Sequence, residues 1–248
     1  MRIAVIGDIH ANLPALRAVL EDVERIGADE VYCVGDVVGR GPHPNEVVEE
    51  LRGLTIPTIQ GNWDEAVGMD REQTGAAWGS VTSEEEGEAS MRWTAETLDE
   101  DNKAWLRQLP PTMRVTVAGR SVFLFHGTPL RANEYLWASR PSRVFARIAS
   151  DEADDLFCFG HTHEALHQVV GQAHFVACGS VGCGTEGDAR ARYAVIYIGE
   201  PDIAVGFRSV DYDHVAVVRD MAAIGRSIDL LREPPASHPH VPSAVGLD

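Results

Sequence analysis

Lysine is almost missing from this chain. Lys103 is the only one, and arginine supplies the rest of the 21 basic side chains against 38 acidic ones, for a formal net charge of −17. A surface of that sign repels phosphate backbones and argues against general nucleic-acid binding. An anionic substrate would need a local cationic centre, such as bound metal, to overcome the field. Long uncharged apolar runs are missing too, which excludes a membrane-spanning helix. Apolar sequence begins at Ile3, so no signal peptide is expected and a cytoplasmic location is. Cys33, Cys158, Cys178 and Cys183 form neither a CxxC pair nor a zinc-knuckle spacing. Cys33 and Cys158 sit inside apolar runs and read as small buried hydrophobes of a reducing compartment. The preference for arginine matches a GC-rich bacterial genome and carries no mechanism.

What is present is ordinary for a globular protein, with 44% hydrophobic and 24% charged residues in 248. The length allows one large α/β domain or two small ones. The chain is organised around Ile3-Ala4-Val5-Ile6-Gly7-Asp8-Ile9-His10-Ala11-Asn12. Four apolar residues read as a buried strand that the glycine ends. Positions i and i+2 of extended chain point the same way, so Asp8 and His10 emerge together, as a metal-ligand pair would.

Leu13, Leu16, Val19, Leu20, Val23 and Ile26 then recur at helical spacing, with Asn12 as cap and Pro14 in the first turn. A second strand, 31–34, ends in Gly35-Asp36-Val37-Val38-Gly39-Arg40-Gly41-Pro42, and a helix is expected over 44–51. A third strand, 56–60, ends in Gly61-Asn62-Trp63-Asp64. Each of three βα units thus ends in a glycine and a metal-competent residue: Asp8, Asp36, Asn62. A right-handed parallel sheet would bring those ends to one edge.

Residues 65–108 differ, being polar and acidic, with Trp78, Trp93 and Trp105. Glu84-Glu85-Glu86 reads as a solvated helix start, and Met91, Thr94, Ala95 and Leu98 as one helix face. An inserted helical cap bordering the site and a plain structural excursion both fit this segment. Val115–Val117 and Val122–Phe125 then form a hairpin that delivers His126. After a helix over 142–150, the strand 156–159 delivers Gly160-His161-Thr162-His163, again at the i, i+2 spacing. Four antiparallel strands, 166–170, 174–178, 193–198 and 203–209, are expected as a second sheet. An amphipathic helix is expected from His214 to Leu231. The Pro-, Ser- and His-rich tail from Pro234 reads as disordered. One domain is expected over 1–233.

The strand ends deliver seven donors: Asp8, His10, Asp36, Asn62, His126, His161 and His163. That exceeds what one tetrahedral ion needs. Two ions sharing Asp36, the lone central carboxylate, use the set well. Mixed imidazole, carboxylate and amide donors suit Mn, Fe, Zn, Co or Ni and suit Ca poorly; Mn²⁺ is the first expectation. Two ions about 3.5–4 Å apart hold a bridging hydroxide and clamp both ends of an in-line displacement at phosphorus. The constellation therefore predicts phosphate-ester hydrolysis without a covalent intermediate. The imidazoles must be neutral to bind, so metal and activity should fade below about pH 6.

Gly7-Asp8-x-His10, Gly35-Asp36-x-x-Gly39, Gly61-Asn62-x-Asp64, His126 and Gly160-His161-x-His163 resemble, in order, the five motifs of the calcineurin-like metallophosphoesterase superfamily. The resemblance spans positions 8 to 163. It implies a four-layer α/β/β/α sandwich with a dinuclear metal centre. By the same resemblance Asp8, His10, Asp36 and His163 hold one metal, and Asp36, Asn62, His126 and His161 the other. Gly-Asp-Ile-His-Ala-Asn and Gly-Pro-x-Pro-Asn-Glu are similar to a bacterial branch related to small phosphodiesterases and symmetrical diadenosine tetraphosphatase-like enzymes.

One departure matters. Many members have Gly-Asn-His-Asp, where the His protonates the leaving group or steadies the phosphate; here Trp63 stands in that place. Its N–H has no usable acidity, and a missing general acid costs about 10²–10⁴ in rate where the leaving group needs protonation. Good leaving groups are then favoured, or another acid such as His43. Trp63 itself reads as a stacking face for a nucleobase or as a packed wall. Arg40, in the loop after Asp36, reads either as a bidentate phosphate ligand or as a solvated loop arginine; the matching loop of phosphoprotein phosphatases and tetraphosphatases has an Arg at about this place. Asp36, Asn62 and Arg40 are the expected catalytic residues, and Arg40, Trp63 and His43 the expected substrate contacts. Asn12 either orients a ligand or caps its helix. Asp64 loses its usual His partner and its role stays open. Cys178-Gly-Ser-Val-Gly-Cys183 lines the pocket at most.

The leading expectation is a dinuclear metal-dependent phosphoesterase acting on a small phosphodiester, phosphoanhydride or dinucleoside polyphosphate, as monomer or homodimer. A metal-binding regulatory module with weak or no turnover, a phosphoprotein phosphatase, and a nuclease disfavoured by charge are the alternatives.

Overall fold

Alternation along the first strand, Arg2–Ile6 (β1), sends Ile3 and Val5 to one side and Ala4 and Ile6 to the other, and all four are fully buried. A strand that is apolar on both faces needs a packed layer on each. In the computed structural model, which describes residues 1–77, 81–185, 187–199 and 202–232, those layers are present. In chain order the elements are β1, α1 (Leu13–Ile26), β2 (Glu30–Cys33), α2 (Pro44–Gly53), α3 (Asn62–Gly68), α4 (Val81–Thr97), α5 (Glu100–Gln108), β3 (Thr112–Val117) and β4 (Arg120–Phe125). Then come α6 (Ser142–Glu152), β5 (Leu156–Phe159), β6 (Ala165–Val170), β7 (Ala173–Cys178), β8 (Ala191–Ile198), β9 (Ile203–Val210) and α7 (His214–Ala223).

One sheet has the order β2-β1-β8-β9 and the other β3-β4-β5-β7-β6. Between them lie Ile3, Val5, Val34, Leu124, Cys158, Val176 and Ile196. Outside the first sheet, Ala4, Ile6 and Tyr193 meet Leu16 of α1, Val48 of α2, and Met91 and Leu106 of α4 and α5. Outside the second, Phe125, Phe157, Phe159 and Phe175 pack under Phe145 of α6. Burying one such side chain is worth about 1.5–3 kcal/mol. The result is the four-layer helix–sheet–sheet–helix arrangement, and residues of 65–108 share the first core.

Three expectations are corrected. Residues 56–60 form a single bridge, Cys33 opposite Thr58, rather than a strand. Pro57 has no N–H to extend a ladder, so only its carbonyl and the Ile59 N–H bond to Cys33. The trailing strands do not make a sheet of their own: β6 and β7 join β5, while β8 and β9 return to β1. The last helix stops at Ala223; Gly225 has φ +70°, which a helix cannot continue through, and one 3-10 turn, Ile228–Leu231, follows. Trp78 and the tail from Pro234, with His238 and His240, lie outside the described residues.

Candidate metal centre

Every expected donor sits where a strand or bridge gives way to a turn. Asp8 and His10 follow β1, Asp36 follows β2, Asn62 opens α3, His126 follows β4, and His161 and His163 follow β5. The sheets stack with these ends together, so donors from both reach one place. Five of the seven hold left-handed backbone, with φ of 50° at Asp8, 47° at His10, 52° at Asp36, 66° at His161 and 56° at His163. For such residues that conformation costs about 1–3 kcal/mol each, and it persists only where surroundings enforce it. Here the turns enforce one another. Asp8 N–H donates to the Gly35 carbonyl and His10 N–H to the Asp36 carbonyl, each at 2.9 Å. Across the sheets, His161 N–H donates to the Asp8 carboxylate at 3.0 Å. Gly61 must lack a side chain, because a Cβ there would run into the Asp36 backbone and carboxylate.

All seven side chains are 6% exposed or less. Asp8, His10 and Asp36 bring one ligand atom each within 4.8 Å of one another, and so do Asp36, His126 and His161. Asp36 belongs to both groups. Asn62 Oδ1 lies 3.2 Å from His126 Nε2, and Asp36 Oδ2 lies 3.3 Å from the same nitrogen. His10 Nε2 and His163 Nε2 are 3.1 Å apart, and His163 Nε2 is 3.3 Å from Asp8 Oδ1. The structure thus gathers the whole expected set.

Inside the cluster, carboxylates and imidazoles shift one another's proton affinity. His126 Nδ1 donates to the Val34 carbonyl at 2.7 Å, which leaves Nε2 toward the carboxylates. Burial opposes a proton there, yet the Asp36 and Asp8 carboxylates push His126 up to about 9. Burial works against ionised Asp36, but the imidazoles of His126, His10 and His161 hold it below the usual carboxylate range. Burial and then His126 bring His161 down to about 3. Its Nε2 is buried with no hydrogen-bond partner among the described residues. A neutral imidazole with an unused lone pair beside an ionised carboxylate is a ligand set that fits a divalent transition metal.

The remaining expectations sort by position. Asp64, whose role the sequence left open, is a fastener: Oδ1 accepts from Val37 and Val38 N–H at 2.9 and 3.2 Å, and Oδ2 from Gly61 N–H at 2.9 Å. Burial and the Asp36 carboxylate push it up to about 7 against those donors. Trp63 is a wall, 1% exposed, its ring edge-on to His10 at 5.7 Å and under the Arg40 guanidinium at 6.0 Å. Arg40 Nη1 also lies 3.9 Å from Cys183 Sγ, beside the first group. His43 pairs with Asp220, its Nε2 3.2 Å from Oδ2. Asn12 both caps, accepting from Ala15 N–H at 3.2 Å, and ties down the far loop, donating to the Gly182 carbonyl at 2.9 Å. The sequence did not point to Tyr135, whose ring stacks on His161 at 4.0 Å, and offered the Cys183 turn only as pocket lining, not as a neighbour of His10 and His163. Cysteine after a Gly-Ser-Val-Gly turn was the only signal for the latter.

The family model for the calcineurin-like phosphoesterase superfamily domain matches residues 1–200. An uncharacterized protein of Methanocaldococcus jannaschii is 30% identical over 229 residues, covering 85% of this chain and 88% of that protein. A crystal structure of a metallophosphoesterase from Sphaerobacter thermophilus superposes with TM-score 0.69 at 29% identity, over 93% of this chain and 96% of that one. A hypothetical protein from Pyrococcus horikoshii shares the fold, with TM-score 0.80 at 21% identity over 93% and 96%.

Proposed function

The chain belongs to the calcineurin-like phosphoesterase superfamily, a family of hydrolases, and on that footing we propose that it hydrolyses a small phosphodiester or phosphoanhydride with two divalent transition-metal ions. The observation that carries this reading is the pair of buried donor groups joined through Asp36. Asp8, His10, Asp36 and His163 would hold one ion, and Asp36, Asn62, His126 and His161 the other, with Mn²⁺ the first candidate for the latter and Mn, Fe, Zn, Co or Ni open for the former. When bound, the ions supply an activated water and neutralise phosphate charge for in-line displacement at phosphorus.

The chain's own side chains do the rest. Arg40, braced over Trp63 and next to Cys183, binds a non-reacting phosphate oxygen. Trp63 supports Arg40 and donates no proton, so leaving groups that depart without protonation react best; dinucleoside polyphosphates are such anhydrides. His43, at the N-terminus of α2 and paired with Asp220, is the remaining candidate for a substrate contact. Four free buried cysteines fit a cytoplasmic protein.

The test is hydrolysis of bis(p-nitrophenyl) phosphate and of a panel of dinucleoside polyphosphates with added Mn²⁺. Turnover that vanishes on chelation and in Asp36→Ala is expected. No turnover of any panel member with any divalent ion would overturn the enzymatic reading in favour of a regulatory module.

A further inference from the structure

We infer that Cys183 is an additional donor to the ion held by Asp8, His10, Asp36 and His163, and that it biases this position toward thiophilic cations such as Zn²⁺, Co²⁺ or Fe²⁺ over Mg²⁺ and Mn²⁺. The inference rests on the metal-centre reading above. Cys183 Sγ and the imidazole nitrogens of His10 and His163 lie within 4.8 Å of one another, and all three residues are buried. The two Nε2 atoms are 3.1 Å apart, with Asp8 Oδ1 3.3 Å from that of His163. An ion bound about 2.1 Å from nitrogen and about 2.3 Å from sulfur spans separations of this order.

The loop that carries the thiol is fixed to the same turn that carries Asp8. Cys183 N–H donates to Ser180 Oγ at 2.9 Å, and Ser180 Oγ donates to the Asp8 carbonyl at 2.9 Å. Gly182 N–H donates to that carbonyl too, at 2.9 Å, and a Cβ on Gly182 would collide with the Ile9 carbonyl. Asp8 and Cys183 are therefore two side chains of one hydrogen-bonded unit. The Arg40 guanidinium lies 3.9 Å from Sγ on the same side of the cluster as His10 and His163. The other three cysteines pack among apolar core residues and, among the described residues, join no such set. As the sulfur–metal bond forms, the S–H bond breaks and its proton leaves to solvent, with no change of oxidation state. Soft thiolate selects Zn, Co and Fe where carboxylate and carbonyl groups suit Mg and Mn.

Cobalt substitution of the full chain tests this. The expected spectrum has visible d–d bands together with a near-ultraviolet sulfur-to-cobalt charge-transfer band, and Cys183→Ser keeps the former and loses the latter. Visible bands without charge transfer in the wild-type protein would overturn the role of Cys183 and leave the metal centre standing. No cobalt uptake by the wild-type protein would overturn both. As a second readout, the Zn²⁺-over-Mn²⁺ affinity ratio should fall by about tenfold or more in Cys183→Ser and Cys183→Ala; an unchanged ratio in both would overturn the inference.

Discussion

Asp22 and Asp36 are both buried, at 2% and 1% exposure, yet their surroundings differ in kind. Asp22 stands in the regular helix α1. It accepts from Tyr193 Oη at 2.7 Å and Arg208 Nη2 at 2.9 Å, and pairs with Arg208 Nε and Arg25 as well. The Arg208 hydrogen bond, ahead of Tyr193 and Arg25, holds its carboxyl well below the usual range despite burial. Asp36 stands on a left-handed turn. Its Oδ1 accepts from Trp63 N–H at 2.9 Å, while Oδ2 faces imidazole nitrogens, His126 at 3.3 Å and His10 at 3.8 Å. The first site completes itself with guanidinium and phenol from this chain. The second points carboxylate and imidazole donors into one shared space. Burial alone does not mark a functional carboxylate; the kind of partner and the state of the backbone do.

Asp36→Ala separates the two most strongly. Hydrolysis should fall by at least about 10²–10³-fold, while the metal-free protein loses little Tm, because relief of the like charge beside Asp64 offsets the lost Trp63 N–H bond. Equal loss of kcat/KM and of Tm would erase the contrast. Asp64→Asn comes next. An amide offers one acceptor oxygen where the carboxylate uses two on Val37, Val38 and Gly61. Calorimetric metal affinity should drop by about 10–100-fold, and unchanged affinity would show that the Asp36 turn needs no fastening.

Asp22→Asn should behave in the opposite sense. Activity per folded molecule stays unchanged, and urea unfolding reads a loss of about 2–3 kcal/mol. That is less than the ~3–5 kcal/mol of a fully enclosed pair, because the guanidinium groups keep part of their hydration. Acid sharpens the same point with a smaller effect. A carboxyl whose folded pKa is depressed contributes stability above its unfolded value of about 3.9 and loses it as pH falls below that. The wild-type unfolding free energy should therefore decline between about pH 5 and pH 2 more steeply than that of Asp22→Asn. Parallel profiles would remove Asp22 from the acid response.

The donors were legible because the grammar repeats: apolar run, glycine, then a polar donor; the i, i+2 spacing at Asp8/His10 and His161/His163 marked the right residues, though they converge on left-handed turns and not on extended chain. The layered fold followed from strands that are apolar on both faces. The partner of each strand did not, because a largely apolar β8 and an alternating, half-buried β9 fit either sheet equally well. Pro57 and Gly225 were visible punctuation that apolar periodicity overrode in reading. Asp64 and Cys183 were hidden for another reason. One acts by holding backbone N–H groups 26 and 27 positions away, and the other arrives through a loop 172 positions from Asp8, counted at Ser180. No local pattern encodes those meetings.

The most direct test is anomalous diffraction from crystals of the full chain loaded with Mn²⁺ or Zn²⁺. Two ions joined through the Asp36 carboxylate, one against Asp8, His10 and His163 and the other against Asn62, His126 and His161, are the predicted result. A single ion, or ions away from Asp36, would contradict it.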